Sequence, residues 1–233
     1  MATSLPSLSS LALSTVQPTG VSPPPLRRRR MRTLSYEDGT VYKGEAEGRT
    51  PQGRGMLTDS DGKFYEGEFD GGAVQGFGKL TFEPGSEFKT YEGYWRNGAF
   101  EGRGTLIFAN GAIYEGEFID GKASGDGKKT FGPDEKFVKY EGEWRGGKFH
   151  GKGVLTYRVK RTARHPELQA IRYEGNFDMG SRQGNGILTY GDGTVYNGEF
   201  EKNRKRGYGV YTDEKKIRRR VKIGEDGIMK FLK

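Results

Sequence analysis

The chain has 233 residues, 32% of them hydrophobic and 39 of them glycine, a composition that argues against a thick core and for a thin or repetitive architecture. It has no cysteine, which excludes disulfides, thiolate zinc sites and cysteine nucleophiles, and only two histidines, His150 and His165, for any metal site or general base. The net charge of +8 sits at the two ends and the stretch between residues 42 and 213 is electrically balanced, so overall basicity says little about nucleic acid.

Residues 1–33, MATSLPSLSSLALSTVQPTGVSPPPLRRRRMRT, hold no acid, are rich in serine and threonine, and carry no basic side chain before Arg27. Transit peptides are serine-rich and acid-poor. The arginines gather at the end instead of spreading along an amphipathic helix, which fits a chloroplast type better than a mitochondrial one. A secretory signal is disfavoured, since no charged region comes first and Ser9, Ser10 and Ser14 interrupt the apolar stretch. Residues 1–32 are therefore expected to be a disordered chloroplast transit peptide. An unprocessed arm, or nuclear-import or phosphate-binding use of residues 26–32, stays open. No apolar run approaches the roughly 18 residues that span a bilayer, so a soluble or peripheral protein is expected.

From Leu34 onward one phrase returns, anchored at Tyr42, Tyr65, Tyr91, Tyr114, Tyr140, Tyr173 and Tyr196. Each unit reads Tyr-X-Gly-X-aromatic, a glycine turn, then Gly-X-Gly-X-Leu-X-aromatic, which is the signature of a repeat array. Period-2 reading puts Tyr114, Gly116 and Phe118 on one strand face and Glu115 and Glu117 on the other. Likewise Gly102, Gly104, Leu106 and Phe108 share a face. Glycine normally weakens a strand, but here it leaves room for a ring from the neighbouring strand to lie flat over the backbone. The expected aromatic sheet face comprises Tyr65, Phe69, Tyr91, Trp95, Tyr114, Phe118, Tyr140, Trp144, Tyr173, Phe177, Tyr196 and Phe200. If only partly covered, it would form an apolar strip for a partner.

Asp61-Gly62, Asn110-Gly111 and Asp192-Gly193 read as two-residue hairpin turns. A lone strand from Leu34 plus two strands for each of seven units predicts about fifteen strands, ~70 Å across at ~4.8 Å per strand and coiled by a twist of roughly 20° each. Residues 33–213 form this domain, and residues 214–233 a basic tail or a capping hairpin around Asp226-Gly227. The first and last units depart from the pattern, with Ala46 and Asp59 at usual aromatic positions and the basic run EKNRKRGYG at 201–209, as expected of array ends.

These residues resemble the MORN repeat family (membrane occupation and recognition nexus). The resemblance covers residues 34–213 and implies an all-β fold, an elongated single-layer antiparallel meander of seven β-hairpin repeats. It also implies a scaffold or membrane-associated organiser, with a plastid division protein among the precedents. The repeats also occur beside phosphoinositide kinase and SET methyltransferase domains, neither of which is expected in the residues flanking the array.

No catalytic constellation emerges. The glutamate pairs after each anchor, such as Glu66 with Glu68 and Glu141 with Glu143, recur too evenly to single out an acid and a base. They suit a solvated sheet face with cross-strand charge pairs. Gly76-Phe77-Gly78 lacks the helix and third glycine of a phosphate loop. No enzyme and no cofactor are expected.

Candidate anion, lipid or partner contacts fall in three groups. The insertion supplies Arg158, Lys160, Arg161, Arg164 and Arg172; the last unit supplies Lys202, Arg204, Lys205 and Arg206; the tail supplies Lys215, Lys216, Arg218, Arg219, Arg220 and Lys222. The leading expectation is a non-catalytic chloroplast scaffold, in the stroma or peripheral on a plastid membrane, that binds proteins through its sheet. The alternative is a peripheral protein holding anionic lipid by its basic end, in the cytosol or at the plasma membrane. A nucleic-acid or nuclear reading lacks stacking aromatics, since Phe231 is the tail's only ring. Self-association through edge strands stays open.

Overall fold

The computed structural model describes residues 29–159 and 169–232, which form seventeen β-strands and no helix, all in one open antiparallel sheet. The two strands beyond the expected fifteen lie at the C-terminal end. The chain divides into two compact units after Lys122.

The first unit holds β1 (Arg30–Ser35), β2 (Val41–Glu47), β3 (Thr50–Thr58), β4 (Phe64–Asp70), β5 (Ala73–Thr81), β6 (Phe88–Arg96), β7 (Ala99–Phe108) and β8 (Ile113–Ile119). Each strand pairs with the next. β1 starts four residues before Leu34, because Arg30 pairs with Ala46 and Met31 with Glu45, satisfying backbone groups of β2 that would otherwise face an open edge. Arg29 extends this end, with Glu45 and Glu47 at 3.8 and 3.9 Å. Residues 29–32, expected to be disordered, are thus tied to the sheet; residues 1–28 of the expected presequence lie outside the described residues.

Two kinds of turn alternate. Within a hairpin the connection is two residues, both with positive φ except at Gly48-Arg49, where only the glycine has it; Asn97 at 50° and Gly98 at 78° are an example, and this geometry matches the twist of the flanking strands. The Gly98 N–H then donates to the Val74 carbonyl at 3.0 Å, stitching the turn to the preceding hairpin. Between hairpins the loops from β3 to β4 and from β7 to β8 are three residues long, not two, and that from β5 to β6 is longer. Phe108 N–H donates to Ala112 O at 2.9 Å, around Ala109, Asn110 and Gly111. The reason lies in the Asn110 side chain, whose Oδ1 accepts the Ala112 N–H at 3.0 Å and favours a type I turn closed by a left-handed glycine. Asp192 does the same for the Thr194 N–H at 2.8 Å, whereas Asp59, the residue before its loop, accepts the Asp61 and Lys63 N–H groups at 3.0 and 2.8 Å.

The second unit contains β9 (Lys122–Thr130, its first residue at the boundary), β10 (Phe137–Arg145), β11 (Lys148–Tyr157), β12 (Ala170–Asp178), β13 (Ser181–Tyr190), β14 (Val195–Glu201) and β15 (Arg204–Thr212). A further hairpin, β16 (Arg218–Ile223) and β17 (Met229–Phe231), pairs onto β15. Val221 and Ile223 are buried there and continue the inward face.

A row of glycines crosses each unit at right angles to its strands. In the first, Gly44, Gly55, Gly67, Gly78, Gly93, Gly104 and Gly116 pair in succession. In the second, Gly127, Gly142, Gly153, Gly175, Gly186, Gly198 and Gly209 do so. The anchor tyrosines lie across these rows, and each hydroxyl donates to the backbone three residues ahead, as from Tyr91 to Tyr94 O at 2.9 Å and from Tyr140 to Glu143 O at 2.9 Å. A buried phenol thus keeps its polar end satisfied. The register shifts beyond the glycines, after Gly67 and again after Gly93, and such bulges increase local twist.

Candidate interaction surfaces

The twelve aromatic residues expected on one sheet face cluster ring to ring within each unit, and none is available as an open strip. Their exposures run from 0 to 7%. The rings cover one another: Tyr91 stacks on Phe100 with centroids 3.7 Å apart and meets Trp95 and Phe118 edge-on at 5.1 and 5.2 Å. Tyr140 repeats this with Phe149 at 3.9 Å and with Trp144 and Phe177 edge-on. With glycine beneath each tyrosine and bulges twisting the strands, the rings close over the backbone and exclude water. Burial pushes the phenol pKa values of Tyr42 and Tyr173 up to about 12, and raises those of Tyr65, Tyr91 and Tyr140 as well.

What faces water is the opposite side. There the middle residue of each Gly-X-Gly is Arg54, Phe77, Arg103, Asp126, Lys152, Asn185 or Tyr208. Opposite pairs are commonly of unlike charge, Arg54 with Glu68 and Arg103 with Glu117, and Lys79 lies 3.6 Å from Glu92. The glutamate three residues after the anchor has a structural part: Glu143 accepts the Lys152 N–H at 2.8 Å and fills the space over Gly151.

Phe77 and Tyr94 break the polar pattern. They sit directly opposite on β5 and β6, in edge-on contact at 5.5 Å, and are 45 and 53% exposed. Their signal in the sequence is an aromatic at an outward position where the other units, Tyr208 of the last one apart, have a charged or amide side chain. Beside them a depression of about 490 Å³ is floored by Gly44, Gly55, Gly67 and Gly78 and walled by Met31, Met56 and Phe77 among charged neighbours. A second, of about 430 Å³, sits over Gly153 and Gly175 in the other unit.

The basic candidates separate once placed. Lys205 is no surface contact: its ammonium lies 4.9 Å from the ring centres of both Tyr190 and Tyr196, and burial lowers its pKa. Arg158 is engaged by the neighbouring loop, donating to Glu135 O and Gly132 O at 3.0 and 3.1 Å. Arg172 pairs with Glu174 at 2.6 Å, and Arg206 with Glu201 and Glu225 at 3.1 and 3.0 Å. Arg219 points to the inward side, 5.6 Å from the Phe231 ring and 3.9 Å from Asp213. Lys216 sits in a turn and donates to Gly193 O at 3.3 Å. Lys202, Arg204 and Lys215 are exposed, as are Arg218, Arg220 and Lys222 on β16. Lys160, Arg161 and Arg164 lie outside the described residues.

The MORN repeat family model matches residues 65–87, 91–113, 114–133, 140–159, 173–195 and 196–216, together more than half of the chain. Six segments are matched where seven units were expected; the unit at Tyr42, with Ala46 in place of the ring, is the one left out. No curated protein sequence matches. Among solved structures, the SAS-4 (dCPAP) TCP domain of Drosophila melanogaster, in complex with a proline-rich motif of Ana2 (dSTIL), aligns at 11% identity and a TM-score of 0.33, covering 95% of this chain and 99% of that one. A catalytically inactive virginiamycin B lyase from Staphylococcus aureus with quinupristin aligns at 11% identity and a TM-score of 0.15, covering 88% and 87%. Likeness at these scores carries no argument about function.

Proposed function

Because this chain belongs to the MORN repeat family, we propose that it is a non-catalytic scaffold that binds protein partners on the outward face of its sheet. MORN repeats suggest a binding or scaffold role in general; the face is the part specific to this chain. The observation that carries it is the contrast between the two faces. The inward rings are spent on one another and have no surface to offer, whereas Phe77 and Tyr94 hold apolar area in water without contributing to a core. Exposed aromatics ringed by charged groups are the composition of binding surfaces. A chloroplast location belongs to the same proposal, supported by the serine-rich, acid-free composition of residues 1–28.

Two experiments test it. A fluorescent fusion at the C-terminus is expected in chloroplasts, and one lacking residues 1–28 outside them; full-length protein at the plasma membrane or in the nucleus overturns the location. A photo-crosslinking residue at Tyr94 is expected to capture a discrete protein in cells, with capture lost on Phe77→Ser. Equal capture from Ile119, a distant outward position on the same unit, would overturn the placement of the partner at Phe77 and Tyr94.

A further inference from the structure

We infer that the outward face of β15, β16 and β17 is a docking site for an anionic phospholipid membrane. This surface is carried largely by β16 and β17, which lie beyond residue 216, the end of the last matched repeat, so it is not a property of the repeats themselves. It is independent of the protein-binding face proposed above.

The argument begins with register. Elsewhere on the outward side a base commonly finds an acid opposite it, as Arg54 does with Glu68 and Lys79 with Glu92. At the C-terminal end the ladder continues but the acids stop: Tyr208 stands opposite Lys222, Lys222 opposite Lys230, and Val210 opposite Arg220. No aspartate or glutamate occurs in β15, β16 or β17. Like charges directly opposite each other destabilise a sheet, so Lys222 beside Lys230 is a pair that gains from an external anion. The acids nearest these strands, Asp213, Glu214, Glu225 and Asp226, all lie in the turns, Asp213 beside Arg219 and Glu225 beside Arg206. Among the described residues, Arg218, Arg220, Lys222 and Lys230 have no carboxylate within ion-pair distance.

Apolar side chains are interspersed with these cations. Tyr208 is 58% exposed, with the Lys222 ammonium 5.2 Å from its ring centre. Strand alternation puts Ile228 and Leu232 on the side of Lys230, both exposed, and the Leu232 N–H donates to Arg220 O at 2.9 Å, holding that end in place. Four cations spread over neighbouring strands do not converge on one point as a site for a single phosphate would. Tyr208 is the only ring on this outward patch, too few for stacking a run of bases. Basic groups at headgroup level with aliphatic side chains reaching the acyl boundary are what an anionic bilayer binds.

The test is co-sedimentation of the full chain with phosphatidylcholine vesicles, with and without phosphatidylglycerol. Binding is expected only with the anionic lipid and is expected to weaken with salt. Arg220→Glu, Lys222→Glu and Lys230→Glu together should weaken it by more than about a hundredfold, at about 1 kcal/mol per lost cation and more for reversal. Ile228→Ser with Leu232→Ser should weaken it about tenfold while leaving the salt dependence as it was. Charge reversal at Lys43, Arg54 and Lys79 serves as the control and should change little. Circular dichroism melting checks folding, and Lys222→Gln with Lys230→Gln, which removes a repulsion, should still bind more weakly if the triple variant does not fold. Absence of binding to anionic vesicles overturns the inference, as does equal loss in the control. Displacement by millimolar inorganic phosphate would show a discrete phosphate site instead, and tighter binding of a single-stranded oligonucleotide a nucleic-acid surface; either also overturns it.

Discussion

Tyr91 and Gly104 share one volume: a Cβ built on Gly104 would stand 2.4 Å from the Tyr91 hydroxyl oxygen and 2.6 Å from the edge of its ring. The glycine row and the tyrosine row are therefore one feature. Tyr65 stands in the same relation to Gly78, and Tyr173 to Gly186. Each tyrosine reaches full burial because the chain beneath it has no side chain, and a thin sheet acquires a core from rings laid on backbone.

Substitution of glycines should therefore sort by what lies above them. Gly104→Ala forces the Tyr91 ring off its seat and off Phe100, and an overpacked core site costs about 1–3 kcal/mol or more. Gly111→Ala meets nothing within 4 Å and bears only the strain of a positive φ of 82°, about 1 kcal/mol. Urea denaturation of the two variants checks the order. Equal midpoints would mean that the tyrosine moves aside at no cost.

The raised tyrosine pKa values predict the alkaline limit. A phenol whose folded-state pKa lies above its unfolded value near 10 contributes stability that is fully present below pH 10 and lost as pH rises through the folded value. For Tyr42 and Tyr173, pushed up to about 12, the window runs from pH 10 to about 12. The urea midpoint should fall across that window and Tyr173→Phe should reduce the fall. A flat profile to pH 12 would contradict the burial of these hydroxyls.

Much of this was legible in the sequence, because alternation and period are properties of single strands. Tyr114, Gly116 and Phe118 announce a shared face with no knowledge of their neighbours. The loops at Asn110 and Asp192 are three residues long and not two, since the dipeptide with glycine suits both lengths alike, and the side chain's bond to a backbone N–H decides between them. The closure of the aromatic face was not legible, because it depends on how neighbouring hairpins tilt their rings together. Nor was the split among the basic residues: Lys205 and Arg206 are adjacent, yet one goes under the sheet and the other to Glu225.

Lys205 should accordingly behave as a packing residue. Its methylene stem and ammonium cover Tyr190 and Tyr196, and a desolvated cation–π contact is worth ~2 kcal/mol. Lys205→Ala should destabilise by about that amount, equally at low and high salt, without changing binding to anionic vesicles. A variant as stable as the parent but weaker on vesicles would return Lys205 to the list of surface contacts.

Phe77 and Tyr94 present the opposite case. Their edge-on contact contributes ~0.5–1.5 kcal/mol as an aromatic pair, and their exposure leaves little further area to lose on truncation. Phe77→Ser should lower the unfolding free energy by about 1 kcal/mol, whereas Phe118→Ser, which removes a ring buried between Tyr91 and Tyr114, should lower it by ~3–5 kcal/mol. Parallel chemical denaturation of the two variants measures the difference. A small loss at Phe77 means that the ring is not needed to hold the sheet together, and its presence among polar neighbours then calls for a contact outside the chain. A loss as large as that at Phe118 would instead make the outward pair a second, smaller core, and would remove the argument for placing a partner on it.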